Sequence, residues 1–229
     1  MTVTLITGAN RGIGYETARQ LIRLGHTVWI GARDAERGGK AAAELGARFV
    51  QLDVTDEASV SEALDTIGRA EGALDVLVNN AGVMATGVPD GPSALRSFDT
   101  NAVAIVRVTE AAFPWLRRSP NPVVVNITSS MGSFWAVTNP ERPESTISAA
   151  PLYAASKAAA TMLTVQYAKA HPDVKFNAVE PGFTATDMTA DMEGGRPVED
   201  SAAVVARLAA LGPEGPTGTF TDETGVLPW

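Results

Sequence analysis

Cysteine is absent from this chain of 229 residues. That excludes disulfides, thiolate nucleophiles and cysteine-held metals. Histidine is almost as scarce. His26 and His171 are the only two, so a histidine-based triad or zinc site would have to use one of them. Basic residues are outnumbered, with 18 Lys+Arg against 26 Asp+Glu and a formal net charge of −8. Nucleic acids and anionic membranes bind basic surfaces, so neither is an expected partner. No apolar run reaches the roughly 18 residues that a membrane span needs. The opening residues, Met1 to Ile6, read as a strand and lack the charged-then-apolar layout of a secretory leader. The expectation is a soluble, cytoplasmic protein. Charged residues make up only 19% and hydrophobic ones 45%, which fits a folded chain with a full core.

What is present is an alternation of strand and helix. Strands are expected at residues 3–7, 27–31, 48–52, 75–78, 122–128, 174–179 and 219–221. Apolar residues at Ile13, Ala18, Leu21 and Ile22 share related helical faces, and Gly25 stands just past them as a terminator. Further helices are expected at 34–45, 56–71 (capped by Thr55), 94–118, 153–170 and 201–211. Residues 131–150 read as a loop. Strands alternating with helices imply parallel βαβ units, and short apolar strands imply a sheet covered on both faces. No repeat or linker divides the chain, so one doubly wound α/β domain over residues 1–229 is expected.

Gly8, Gly12 and Gly14 fall between the first strand and the first helix. The spacing G-x-x-x-G-x-G differs from the common G-x-G-x-x-G, but the logic is shared. Glycines let the backbone approach a pyrophosphate, and the helix start offers free N–H groups. Gly39-Lys40 is no P-loop, because the upstream Gly and the following Ser/Thr are missing. An NAD site places a carboxylate about 20 residues past the loop, on the ribose 2′-OH. Here Ala32 stands 18 past Gly14, and Arg33 follows. With Arg11 inside the loop, two guanidinium groups favour a 2′-phosphate, hence NADP (as NADPH) over NAD. Asp34 is the competing feature, since it could meet a 2′-OH.

These residues continue into a series that resembles the short-chain dehydrogenase/reductase family, in a carbonyl-reductase-like form. The series runs Thr7 to Gly14, Asp53-Val54, Asn79-Asn80-Ala81-Gly82, Asn101, Asn126-Ile127-Thr128-Ser129, Tyr153-Ala154-Ala155-Ser156-Lys157 and Pro181-Gly182. The resemblance implies a Rossmann-type, seven-stranded parallel sheet carrying NAD(P) at the strand C-termini. It implies that Gly8, Asn10, Arg11, Gly12, Ile13 and Gly14 surround the cofactor phosphates, and that Asp53 meets the adenine with Val54 nearby. Asn79, Ala81 and Gly82 then line the adenosine and ribose side. Pro181, Gly182, Thr184 and Thr186 hold the nicotinamide end, Thr184 mainly through its backbone.

Tyr153 and Lys157, at i and i+4, share one helix face. A free phenol titrates near pH 10, and a nearby ammonium is expected to lower it. The tyrosine then acts as general acid in reduction or base in oxidation, and the lysine also binds the nicotinamide ribose. Ser129 would hydrogen-bond the substrate oxygen. It is preferred to Ser130 because it stands three after Asn126 and three before Gly132. The resemblance makes Asn101 the holder of a water that links Lys157 to solvent.

Ser129 and Tyr153 are 24 residues apart, about twice the family's common spacing. An insertion near residues 134–150, with Phe134 and Trp135, therefore reads either as an aromatic substrate wall or as a loop folded over its own apolar residues. Residues 187–200 read as a flap, with Met188 and Met192 either facing substrate or packing in the core. The last residues, 226–229, have no legible role, and monomer and homo-oligomer both stand open. The expected function is NADPH-dependent reduction of an aldehyde or ketone, with an apolar or aromatic carbonyl or alcohol as the small-molecule substrate and no metal. An NAD-linked alcohol dehydrogenase and a non-catalytic NADP-sensing regulator are the alternatives.

Overall fold

The computed structural model describes residues 1–85 and 88–229. Its strands are β1 (Val3–Thr7), β2 (Thr27–Ala32), β3 (Arg48–Gln51), β4 (Val76–Asn79), β5 (Val123–Ile127), β6 (Lys175–Val179) and β7 (Thr219–Thr221). They form one sheet in the order β3-β2-β1-β4-β5-β6-β7, and each neighbouring pair is parallel. The helices are α1 (Gly12–Arg23), α2 (Ala35–Leu45), α3 (Glu57–Glu71), α4 (Gly91–Phe98), α5 (Ala104–Leu116), α6 (Phe134–Thr138), α7 (Pro151–Ala170) and α8 (Val198–Ala209). This is the Rossmann-type, doubly wound fold.

Alternation along each strand sends side chains to opposite faces. Leu5, Leu77 and Val124 face a layer containing α3 and α5. Ile6, Val78 and Val125 face a layer containing α1 and α8. All six are fully buried, and each such side chain stabilises the fold by about 1.5–3 kcal/mol. The order of strands reverses between β1 and β4, which opens a crevice at their C-terminal ends.

Several boundaries differ from the sequence expectation. The cap of α3 is Asp56, whose carboxylate accepts from Ser59 N at 2.7 Å. Thr55 is diverted, because its N–H and hydroxyl both donate to Asp53 Oδ1, at 2.9 and 2.7 Å. The long helix expected at 94–118 starts earlier, at an Asp90 capping box, and is interrupted by a π-helical turn at Asp99–Val103. α8 opens at Val198, directly after Pro197. The 131–150 segment is not a plain loop. It contains 3₁₀ turns at Ser130–Gly132 and Pro143–Ser145, with α6 between them.

The C-terminal residues have a definite seat. Leu227 is buried, and Trp229 stacks on Phe220 of β7 with ring centroids 5.8 Å apart. Ser133 Oγ donates to Pro228 O at 2.8 Å, and Trp135 N donates to Trp229 O at 3.1 Å. The tail thus ties the edge strand to the insertion.

Candidate active site

β1 ends in the glycine loop, where Gly8 has a φ of +65°. A Cβ there would stand 3.0 Å from Ala81 Cα, and one on Gly14 would stand 2.5 Å from Asn80 Nδ2. Only bare backbone lets these segments meet. Asn80 locks the loop by donating to Thr7 O at 2.8 Å and Gly8 O at 3.3 Å. Thr7 Oγ1 accepts from the backbone N–H of Asn80 and of Ala81, each at 3.0 Å. Arg11 precedes α1 in extended backbone and provides no side-chain cap. The first-turn N–H groups of α1 are therefore available to an anion. A glycine cradle closed by Asn80 and facing such a helix start fits the pyrophosphate of a dinucleotide. Asn10 and Gly12 border this cradle, Ile13 packs into the core beneath it, and Gly82 lies beyond Ala81 on the strand-β4 side.

The expected cofactor residues divide into those that face the crevice and those held elsewhere. Arg33 is exposed at the end of β2. Asp53 is held below the usual carboxylate range, chiefly by hydrogen bonds from Thr55, with Arg33 and Arg107 adding to the effect. Asp34 caps α2 and is engaged by Arg37, whose N and Nε donate at 2.9 and 2.7 Å. Arg11 pairs with Asp187 of the flap at 2.6 Å, both side chains being largely exposed. The Asn79 side chain is buried in the sheet, donating to Asn126 Oδ1 at 2.8 Å and Thr109 Oγ1 at 3.3 Å. Val54 is buried, and its carbonyl accepts from Arg107 Nη1 at 2.7 Å. Thr184 is also buried, with its hydroxyl bonded to Ser201 and Gly182. Thr186 packs its methyl toward the glycine loop, 3.6 Å from where a Cβ on Gly12 would stand.

Ser129, Tyr153 and Lys157 come together where β5 meets α7. Gly132 makes this possible, because a Cβ there would lie 2.6 Å from Ala158 N. The 3₁₀ turn after Ser129 therefore rests directly on the backbone of α7. Ser129 Oγ accepts from Met131 N at 3.2 Å, and the Ser129 side chain lies near enough to the Tyr153 phenol to lower it slightly. The neighbouring Ser130 is buried, and its backbone N–H donates to the Glu180 carboxyl. Lys157 is buried, and its Nζ donates to Ile127 O at 2.8 Å and lies 5.7 Å from the Tyr153 ring centroid. Asn101 sits in the π-helical turn, a distortion frequent at functional sites. Its side chain clasps Val83, accepting from N and donating to O at 2.8 Å each, and donates to Ser156 at 2.9 Å. Asn101 Oδ1 and Lys157 Nζ both border the space over Gly82, 3.3 and 3.5 Å from where its Cβ would stand.

One electrostatic expectation is corrected. Tyr153 is not lowered. Burial pushes it up to about 12, with Glu180 adding to the rise and Ser129 opposing it. Burial likewise lowers Lys157 to about 8. Desolvation is the largest cause in both groups. Sequence reasoning also missed Glu180, Arg107 and Arg196. Arg107 bonds Val54, Glu57 and Asp99, tying α3 to the π-helical turn. Arg196 donates to Ser201 Oγ at 2.9 Å, pairs with Glu223 and lies over Gly182. The signal for these three lies in long-range contacts that no local motif carries.

A cavity of about 440 Å³ adjoins Tyr153, lined by Ala85, Val88, Pro89, Leu152 and others of the 149–152 segment. Phe134, Ile147, Phe183, Met188 and Met192 are exposed, so the two flap methionines do not pack in the core. Trp135 lies under the Arg142 guanidinium, 5.5 Å from its ring centroid. The insertion thus displays Phe134 and leaves Trp135 partly exposed beside Arg142. No helix among the described residues is long and apolar enough to cross a membrane.

A parallel sheet with a phosphate cradle at its switch point and a Ser/Tyr/Lys cluster beside it defines a dinucleotide-dependent oxidoreductase class. The family model for short chain dehydrogenases matches residues 2–196, and the chain belongs to that family. It is 35% identical to the short-chain dehydrogenase/reductase ATR10 of Stachybotrys chlorohalonatus, over 99% of this chain and 94% of that protein. It is 32% identical to (+)-neomenthol dehydrogenase of Arabidopsis thaliana, over 94% of each. Among solved structures, NADPH-bound carbonyl reductase from chicken fatty liver superposes with a TM-score of 0.87 at 26% identity, covering all of both chains.

Proposed function

We propose that the chain is an NADPH-dependent reductase, one catalytic domain over residues 1–229, that converts an aldehyde or ketone to the alcohol. The observation that carries this reading is the convergence of Ser129, Tyr153 and Lys157, with Lys157 Nζ 5.7 Å from the Tyr153 ring centroid and beside Gly82. When bound, NADPH supplies the hydride to the carbonyl carbon. Tyr153 delivers the proton to the carbonyl oxygen, and a phenol held at about 12 is fully protonated at neutral pH, as a proton donor must be. Ser129 steadies the same oxygen as charge develops. In this reading Lys157 holds the nicotinamide ribose and Asn101 holds a water that links Lys157 to solvent. The reaction consumes one NADPH and one proton per carbonyl and yields the alcohol and NADP.

NADPH is favoured over NADH because Arg33 is exposed at the β2 end, whereas Asp34 is engaged in capping α2. The structural likeness to an NADPH-bound carbonyl reductase supports the same choice. The Val88, Pro89 and Leu152 side chains beside Tyr153 and the displayed Phe134 favour an apolar or aromatic carbonyl substrate.

The test is NADPH consumption over a panel of aldehydes, ketones, diketones and quinones, with Tyr153→Phe run alongside. Turnover is expected on some of the panel and should fall about 10²–10⁴-fold in the variant, with NADPH binding kept. Equal turnover in the two proteins would remove Tyr153 from its role. Tight NADPH binding without turnover on any carbonyl would favour a cofactor-sensing role instead.

A further inference from the structure

Arg196 closes the base of the flap, and the proposed reduction makes no use of it. Its backbone grips the segment that follows Pro181-Gly182. Arg196 N donates to Phe183 O at 2.9 Å, and Arg196 O accepts from Ala185 N at 3.0 Å. Gly195 permits this approach, since a Cβ on it would stand 2.5 Å from Ala185 N. The side chain turns back onto Gly182. A Cβ on Gly182 would stand 2.9 Å from Arg196 Cζ, Nε and Nη1 alike. Equal distances to atoms of one plane mean that the flat of the guanidinium faces the Gly182 backbone. Gly182, at a φ of +83°, is the residue that allows both the turn and the contact.

A relay of hydrogen bonds reaches the same glycine, and its direction is forced. A guanidinium only donates, and a serine or threonine hydroxyl has one hydrogen to give. Arg196 Nε donates to Ser201 Oγ at 2.9 Å, and Thr184 Oγ1 donates to Gly182 O at 2.8 Å. The Ser201 and Thr184 hydroxyl oxygens are 2.6 Å apart. The Thr184 hydrogen is already engaged by a carbonyl, so Ser201 is the donor between them. The relay therefore runs Arg196, Ser201, Thr184, Gly182. With Gly182 N donating to Glu180 Oε1 at 2.7 Å, Gly182 is held at its N–H, its carbonyl and its Cα. Arg196 also pairs with Glu223 through Nη1. Among the described residues its buried Nη2 meets no acceptor. A buried donor left unmatched weakens a fold, and such local rules are broken mainly at functional sites.

We propose that Arg196 is a positioning residue: its guanidinium backs Gly182 and fixes residues 182–185 as the support for the nicotinamide end of the cofactor. This rests on the NADPH-dependent reduction proposed for the chain, and on Pro181, Gly182, Thr184 and Thr186 serving that end of the dinucleotide.

The experiment compares the wild type with Arg196→Lys and Arg196→Met. Lysine keeps a charge beside Glu223 but has no flat fork to lay on Gly182 and no Nε–H for Ser201. Methionine keeps an unbranched chain and removes the unmatched donor. In the first arm, without substrate, the fluorescence lifetime and anisotropy decay of bound NADPH report the freedom of the nicotinamide. Both variants should bind NADPH within about threefold of the wild type, because the phosphate cradle is untouched. Their bound nicotinamide should show a shorter lifetime and a fast depolarisation that the wild type lacks. In the second arm, kcat on the best carbonyl of the panel should fall about tenfold or more in both variants, with the KM for NADPH nearly unchanged. Deuterium at the transferred position of NADPH should slow the variants at least as much as the wild type. The Tm of Arg196→Met should stay within about 3 °C of the wild type; a merely structural role would move Tm and leave the nicotinamide signals alone.

Unchanged lifetime and anisotropy in both variants would overturn the proposal, and so would wild-type behaviour of Arg196→Lys. If Arg196→Met fails to fold, Arg196→Lys decides alone. Loosened nicotinamide in the variants, with no turnover by the wild type on any carbonyl, overturns the reduction and keeps the role of Arg196. A wild type that does not bind NADPH overturns both.

Discussion

Lys157 Nζ donates a hydrogen bond to the carbonyl oxygen of Ile127 at 2.8 Å. This one contact joins the middle of the catalytic helix to the end of β5, two residues before Ser129. It anchors a buried ammonium on a backbone acceptor, and it fixes the turn of α7 that presents Tyr153. The same burial makes Lys157 a source of pH-dependent stability.

Lys157 is lowered by burial from 10.5 to about 8. Below that pH the ammonium is present in both folded and unfolded chains, and its burial weighs against the fold by an amount on the order of 3 kcal/mol. Between about pH 8 and 10.5 the unfolded chain binds the extra proton, so this group's contribution rises with pH. Urea midpoints of the wild type and Lys157→Met, compared across that window, should converge as the pH rises, because the variant lacks the penalty at the low end. Parallel curves would show that Lys157 is not desolvated as described.

Arg33→Asp places a carboxylate where a 2′-phosphate is expected. The KM for NADPH should rise about 10–100-fold, equivalent to about 1.4–2.8 kcal/mol, while the KM for NADH changes little or falls. Steady-state kinetics with both nucleotides decide it. An equal rise for the two would show that Arg33 does not discriminate the phosphate.

Gly132→Ala inserts a methyl group 2.6 Å from Ala158 N. The turn must lift off α7, which should destabilise the fold by about 1–3 kcal/mol. Ser129 moves with the turn, so kcat should fall about tenfold or more even where the protein stays folded. Denaturant midpoints and kcat measured on the same preparation check both effects. Loss of stability with an unchanged kcat would separate Gly132 from the placement of Ser129.

Trp229→Ala removes the stack on Phe220 that holds the tail against β7. With it should go the seat of the tail carbonyls that accept from Ser133 and Trp135. Stability should drop by about 1–3 kcal/mol, and limited proteolysis should cut faster within residues 134–150. Unchanged cleavage there would show that the insertion stands without the tail.

The strands and most helices were legible in the sequence, because burial on both sheet faces demands continuous apolar runs and each helix keeps its own periodicity. Leu77 and Val78, one after the other, already imply cover on both sides. The glycine loop and the i, i+4 pair of Tyr153 and Lys157 are local in the same sense. The cap of α3 was misplaced by one residue because Asp53, three positions before the true cap, captures Thr55. The π-helical turn around Asn101 was invisible because no residue spacing encodes one.

Local pattern therefore determined the order of elements, the glycine loop and the Tyr153–Lys157 pairing on one helix face, since each depends on neighbours a few residues away. Tertiary structure decided their electrostatic condition. The rise of Tyr153 and the fall of Lys157 follow from desolvation, which is a property of everything packed around them. The side-chain state of Asp34, the burial of Asn79 within the sheet and the presence of Glu180 beside Ser129 are equally products of packing. Glu180 is 51 residues along the chain from Ser129 and beside it only because β5 and β6 pair in register.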